Sequence, residues 1–164
     1  LVAKNMNGLG LGNVVVNAGT LDLFGNSVAN LIQVYGGSVI NSGVGSLSTS
    51  ALEVDSTSNV TISANLSGSS SLTKKGAGAL TMTGTNTFSG GMDIQAGTFF
   101  VGASSAVGSS VNALAIRSGA TVDLSGHDIA IGAMQGFPLR DPPLQRAPER
   151  WSDTIGIAAF HLVE

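Results

Sequence analysis

Cysteine is absent from this 164-residue chain, and charged residues make up only 10% of it. The first absence excludes a disulfide scaffold and thiolate metal sites. It also suits a chain exported unfolded, because a cross-linked loop cannot thread a narrow pore. The second is far below the roughly 25% of an ordinary soluble domain. Net charge is -3, and Lys74-Lys75 is the only adjacent basic pair. Without a cationic footprint to neutralise phosphates, nucleic-acid binding is excluded. No stretch approaches the roughly 20 apolar residues of a membrane-spanning helix. The longest apolar-rich run, Ile155 to Val163, is half that and contains His161. The opening Leu1-Val2-Ala3-Lys4 lacks a signal-peptide layout. With the repeats described below, this leads us to expect a piece of a longer secreted chain.

Small polar residues stand where charge is missing: 23 Gly, 21 Ser, 12 Thr and 11 Asn, alongside 43% hydrophobic residues. Small polars with β-branched apolars suit short strands joined by tight turns and suit helices poorly. The regular Val, Ile and Leu content argues against disorder. The chain reads as all-β.

A short unit recurs, with a small or polar residue, Gly, then an alternating apolar strand. It occurs as Asn17-Ala18-Gly19-Thr20-Leu21-Asp22-Leu23, Gln95-Ala96-Gly97-Thr98-Phe99-Phe100-Val101 and Arg117-Ser118-Gly119-Ala120-Thr121-Val122-Asp123-Leu124. A weaker copy is Asn41-Ser42-Gly43-Val44-Gly45-Ser46-Leu47. Gly19 and Gly43 lie 24 apart, Gly97 and Gly119 lie 22 apart, and the 54 between Gly43 and Gly97 has room for two further coils. A period in the low twenties fits one coil of a three-sided parallel β-helix, with three strands of about 4–5 residues and three corners. Strands are expected at Leu52–Val54, Val60–Leu66, Leu80–Met82, Met92–Ile94, Leu114–Ile116 and Ile129–Ile131. In Leu80-Thr81-Met82-Thr83 and Val60-Thr61-Ile62-Ser63 the apolars face one way and the hydroxyls the other. Gly is expected to supply positive φ at corners, and Asn beside it to tolerate the left-handed region or stack on the next coil. The fold expected for residues 1–136 is a right-handed, single-stranded parallel β-helix of about six coils, roughly 30 Å of stack at about 4.8 Å each.

The stretch Gly76-Ala77-Gly78-Ala79-Leu80-Thr81-Met82-Thr83-Gly84-Thr85-Asn86-Thr87-Phe88-Ser89-Gly90-Gly91 resembles the autotransporter-associated β-strand repeat, also called the passenger-associated transport repeat. The resemblance is clearest over 73–133 and looser over 13–66; Met92-Asp93 and Phe99 depart from the usual Thr and Leu. It implies secretion, passage through an outer-membrane barrel and display at the bacterial cell surface as a β-helix. Partners so implied are the neighbouring coils of the full passenger and the barrel domain, which is absent from this sequence, with a host-surface or glycan ligand as a further candidate. The repeat residues expected to be structural are Gly19, Gly43, Gly76, Gly78, Leu80, Gly84, Asn86, Phe88, Gly90, Gly91, Gly97 and Gly119. No catalytic residue, cofactor or metal is implied.

Candidate chemistry is sparse. Asp22 and Asp123 appear at the same place in the repeat and read as outward, solvated side chains. Glu53 and Asp55 face outward together and are the pair best placed to hold a cation or act on sugar. His127-Asp128 reads as a corner, and no Gly-x-Ser-x-Gly elbow accompanies it. Two histidines without cysteine form no metal-ligand pattern. Gly8-Leu9-Gly10-Leu11-Gly12 lacks phosphate-loop spacing and a following helix. Of Phe88, Phe99 and Phe100, Phe88 and one of the adjacent pair are expected in the core, leaving the other outward as a possible sugar contact. Asn59-Val60-Thr61 and Asn65-Leu66-Ser67 would be glycosylation sequons only in a eukaryotic secretory route.

Residues 137–164 break the pattern, holding all four prolines (138, 142, 143, 148), Trp151 and seven of the 17 charged residues. They read as an atypical tail, non-native or mis-framed in origin, with a cap or a linker as the alternatives. The function expected is a non-enzymatic structural passenger segment that supports secretion, folding and surface display, with adhesion through its flat faces. The alternatives are a carbohydrate-active β-helix enzyme of the lyase or glycosidase kind, and a glycan-binding adhesin.

Overall fold

A computed structural model describes residues 1–2, 9–10, 12–43 and 46–135. The expected tail lies outside them, as do Gly8 and Leu11 of the Gly8–Gly12 run.

Among the described residues thirteen short strands build two parallel sheets, and there is no helix. One sheet stacks β1 (Val14–Val16), β3 (Ile32–Val34), β5 (Ala51–Val54), β7 (Ser71–Lys74), β9 (Met92–Ile94), β11 (Ala113–Ile116) and β13 (Ala133–Gln135). The other stacks β2 (Thr20–Asp22), β4 (Gly37–Ile40), β6 (Val60–Ile62), β8 (Ala79–Met82), β10 (Gly97–Val101) and β12 (Ala120–Asp123). Odd and even strands alternate between sheets, so the chain winds through both once per coil. That is a β-solenoid of about six turns.

The third side differs from expectation. Among the described residues it carries one bridge, Leu47 to Leu66, instead of a third sheet. Its backbone still stacks: the Ser67, Thr87 and Ser109 amides donate to the Leu47, Leu66 and Phe88 carbonyls at 2.9, 2.7 and 2.9 Å. Small and polar residues there permit stacking without the long alternating runs that define a strand.

Register also corrects the repeat arithmetic. Thr20 lies against Ser38, and Gly37 packs onto Gly19, so the first coil step on this sheet takes 18 residues, not 24. Gly43 instead sits over Phe24 and Gly25. Gly97 pairs with Ala120, leaving Gly119 one position out of file. On this sheet the spacing varies from 18 residues (Thr20 to Ser38) to 23 (Ser38 to Thr61). Length variation is absorbed at corners, where the backbone is not tied to a ladder. Nonetheless the Gly19, Gly97 and Gly119 segments lead into strands of one stack.

Alternation within each strand turns one set of side chains inward. Val16, Val34, Val54 and Ile94 line one interior file, and Leu21, Val39, Ile62, Met82 and Val101 another. Most of these are wholly buried. At about 25 cal/mol per Å², such burial is the main stabilising term. No strand forms at Ile129–Ile131; both isoleucines instead pack, half-buried, against the last coil, and the strand follows at β13.

Candidate functional site

The outward faces of the two sheets are chemically different. On the β1–β13 sheet, the file Gln33–Glu53–Thr73–Asp93–Ala115 runs up the stack. Gln33 donates to Glu53 at 3.0 Å, and Lys75 pairs with Glu53 at 3.3 Å. Arg117 reaches down one coil to grip both oxygens of Asp93, at 2.7 and 3.2 Å, while Gln95 donates at 2.9 Å. The Gln33 amide holds the Glu53 carboxyl below the usual range, and the Arg117 guanidinium does the same to Asp93. Arg117 is raised in turn by Asp93. These charges satisfy one another. A shallow depression among Ser71, Thr73, Gly91, Asp93 and Ala113 lies on this face.

That geometry answers the acidic candidates. Glu53 projects outward as expected, but Gln33 and Lys75 occupy it, and Asp55 falls beyond the end of β5. Asp22 and Asp123 do not share a place in the coil: Asp22 lies against Ile40, Asp123 against Phe100. Asp22 accepts from the Ser42 hydroxyl at 2.6 Å and from the Phe24 and Ser42 amides, and these bonds lower its pKa. Asp123 accepts from the Ser125 amide at 2.7 Å, closing a turn. The His127 amide bonds to Leu124 O at 2.8 Å, so His127 belongs to the same turn. Among the described residues no group of three or more His, Asp or Glu could hold a metal ion. His161 lies outside them.

The repeat residues concentrate at corners. A Cβ on Gly76 or Gly78 would strike the Ser56 or Ser58 carbonyl of the coil below, and on Gly84 or Gly90 that of Ala64 or Ser70. Close approach of backbone, not positive φ, demands glycine there. Gly19, Gly91, Gly97 and Gly119 do have positive φ, as expected. Among the described residues the non-glycines with positive φ are Phe24 and Ser125; no asparagine joins them. Asparagines act by bridging coils. Buried Asn86 accepts from the Leu66 amide at 2.8 Å and donates to Ala106 O at 3.1 Å, joining three coils. Asn59 and Asn65 accept from the Ala79 and Thr85 amides above them. Leu80, Phe88 and Phe99 are wholly buried, whereas Phe100 faces outward, half-buried.

Sequence reasoning missed Lys74. It is wholly buried, in file between Val54 and Ile94, and its ammonium caps the Gly76 and Ala96 carbonyls at the corner, the latter at 3.0 Å. Desolvation pulls its pKa down, partly opposed by Asp55. The signal was present in Leu72-Thr73-Lys74, where alternation turns Lys74 inward with Leu72.

Residues 72–99, from Leu72 in β7 through Phe99 in β10, match the model of the Passenger-associated-transport-repeat family. The chain carries a passenger-associated transport repeat. That repeat spans the coil in which Gly76, Gly78, Gly84 and Gly90 pack against the backbone below and Asn86 bridges neighbours. Over 124 residues, 76% of this chain, the sequence is 33% identical to a protein described as "Adhesin BmaC autotransporter" from Brucella suis biovar 1 (strain 1330). The matched stretch is 3% of that relative's length. No solved structure matches.

Proposed function

We propose that this chain is a segment of an autotransporter passenger, a stalk of stacked coils displayed outside the bacterial cell and contributing to adhesion. One observation carries the reading: the passenger repeat lies within an unbroken stack whose coils share one apolar interior. The adhesin title of the relative supports the adhesive part. The role is mechanical and non-enzymatic. Each coil completes the hydrogen bonding and apolar cover of the one before, so folding can propagate from coil to coil. Folding in that order outside the cell would oppose back-sliding of the chain through an outer-membrane barrel, the partner expected in the full-length protein. The carbohydrate-active alternative is disfavoured by Glu53, whose carboxylate is engaged by Gln33 and Lys75.

The test is to place the chain ahead of an autotransporter barrel and follow its arrival at the cell surface by protease accessibility. Intact chain should be displayed. Replacing Gly76 and Gly78 with valine, which blocks coil stacking, should cut display several-fold. Equal display of the variant would overturn the folding role.

A further inference from the structure

We propose that the outer face of the β2–β12 sheet binds an uncharged, extended β-linked polysaccharide lying along the stack axis. The proposal deepens the adhesive reading above and rests on it. One outward file on this sheet runs Thr20, Ser38, Thr61, Thr81, Phe100, Asp123, each directly above the last. Alternation places Ile40, Ser63 and Thr83 on the same face, two residues along from Ser38, Thr61 and Thr81.

Three properties choose the occupant. From β4 to β10 the outward strand residues include no ionisable group. The carboxylates of this face, Asp22 and Asp123, are confined to its two end strands, whereas the opposite sheet carries Glu53, Lys75, Asp93 and Arg117 along its length. A neutral surface offers nothing to an anionic polymer and no penalty to a neutral one. The hydroxyls repeat at the interval of parallel strands, about 4.8 Å. That is close to the rise of one sugar unit in an extended β-1,4-linked chain, so successive sugars would meet successive Thr or Ser hydroxyls, each able to donate and accept. Phe100 then stands in the same file, and with Ile40 it gives the C–H faces of pyranose rings an apolar partner. Thr20 and Ser38 already bond at 3.0 Å, which shows the file holds hydroxyls in register. A file of this kind makes many weak contacts, so affinity grows with polymer length.

Purified full chain is tested for retention on insoluble cellulose, chitin and xylan, with alginate as the anionic control. Retention on a neutral polymer, rising with chain length, is expected. Phe100→Ala should weaken it at least tenfold, and Thr61→Lys with Thr81→Lys should abolish it. Thr73→Lys, on the other sheet's outer face, should leave it unchanged. Circular dichroism melts of the variants confirm folding, and if a lysine variant fails to fold, Thr61→Ala with Thr81→Ala replaces it. No retention on any neutral polymer overturns the proposal, as does equal loss in Thr73→Lys or equal retention on alginate. Self-association lost in Thr81→Lys without polysaccharide retention also overturns it, assigning the face to a second copy. Because purified chain is used, failure here leaves the display experiment to judge the passenger reading separately.

Discussion

In the interior file Val54–Lys74–Ile94, a lysine stem fills space that branched aliphatics fill above and below, and its ammonium ends on two corner carbonyls. Long apolar stems make such placement feasible, but removing the charge from water is costly. Burial lowers the pKa of Lys74 in the folded chain, so the unfolded state holds more protons between that lowered value and the ordinary 10.5. Stability therefore rises with pH through this window and is lowest below it. Lys74→Met should hold or raise the unfolding midpoint at neutral pH and flatten the alkaline rise. Lys74→Ala should cost about 2 kcal/mol or more relative to Lys74→Met, through the cavity it leaves. Thermal melts from pH 7 to 10.5 read both. Alternation in Leu72-Thr73-Lys74 encodes the direction of this side chain, although the sequence reading passed over it. Only the neighbouring corner explains how the ammonium is satisfied.

At the scale of the element, corners carry more specificity than strands. A strand in this sheet accepts any inward apolar of suitable size, as the file Leu21, Val39, Ile62, Met82, Val101 demonstrates. At Gly76 and Gly78 a corner accepts no side chain, because the Ser56 and Ser58 backbone lies where the Cβ would go. Asn86 is equally constrained: its amide takes one bond from below and gives one above. Asn86→Ala should cost about 2 kcal/mol, because the Leu66 amide and Ala106 carbonyl are left buried without that partner. Denaturant titration measures it; a change under about 0.5 kcal/mol would reject the bridging role. Glycine spacing revealed that corners exist. It misassigned Gly43, because loops of unequal length separate equivalent positions.

For the molecule as a whole, each strand pairs only with those one coil away, so stability is a sum of neighbouring interfaces. An interior deletion should then matter most mid-stack. Leu80→Ala, wholly buried between β6 and β10, should cost about 3 kcal/mol, and Leu124→Ala in the last described coil, at 9% exposure, less than half that. Acid acts across the stack. Asp22, Glu53 and Asp93 all have carboxyl pKa values lowered by hydrogen bonds or Arg117. Their stabilisation is complete above the unfolded values of 3.8 and 4.5 and is lost as pH falls through the folded ones. The midpoint should drop below about pH 4, and Asp93→Asn should reduce the drop.

Composition and alternation determined that this chain is all-β, coiled and repeating, because a single buried face per strand leaves a period of two in the sequence itself. The passenger repeat was likewise legible, since its glycines and asparagine are dictated by close contacts with the neighbouring coils. Tertiary structure decided what recurrence in sequence does not encode: which residues lie one above another. Coil lengths of 18 to 23 residues on the β2–β12 sheet slide equivalent positions past one another. Only stacking therefore brings Thr20, Ser38, Thr61, Thr81 and Phe100 into one file, and Lys74 beneath the Ala96 carbonyl.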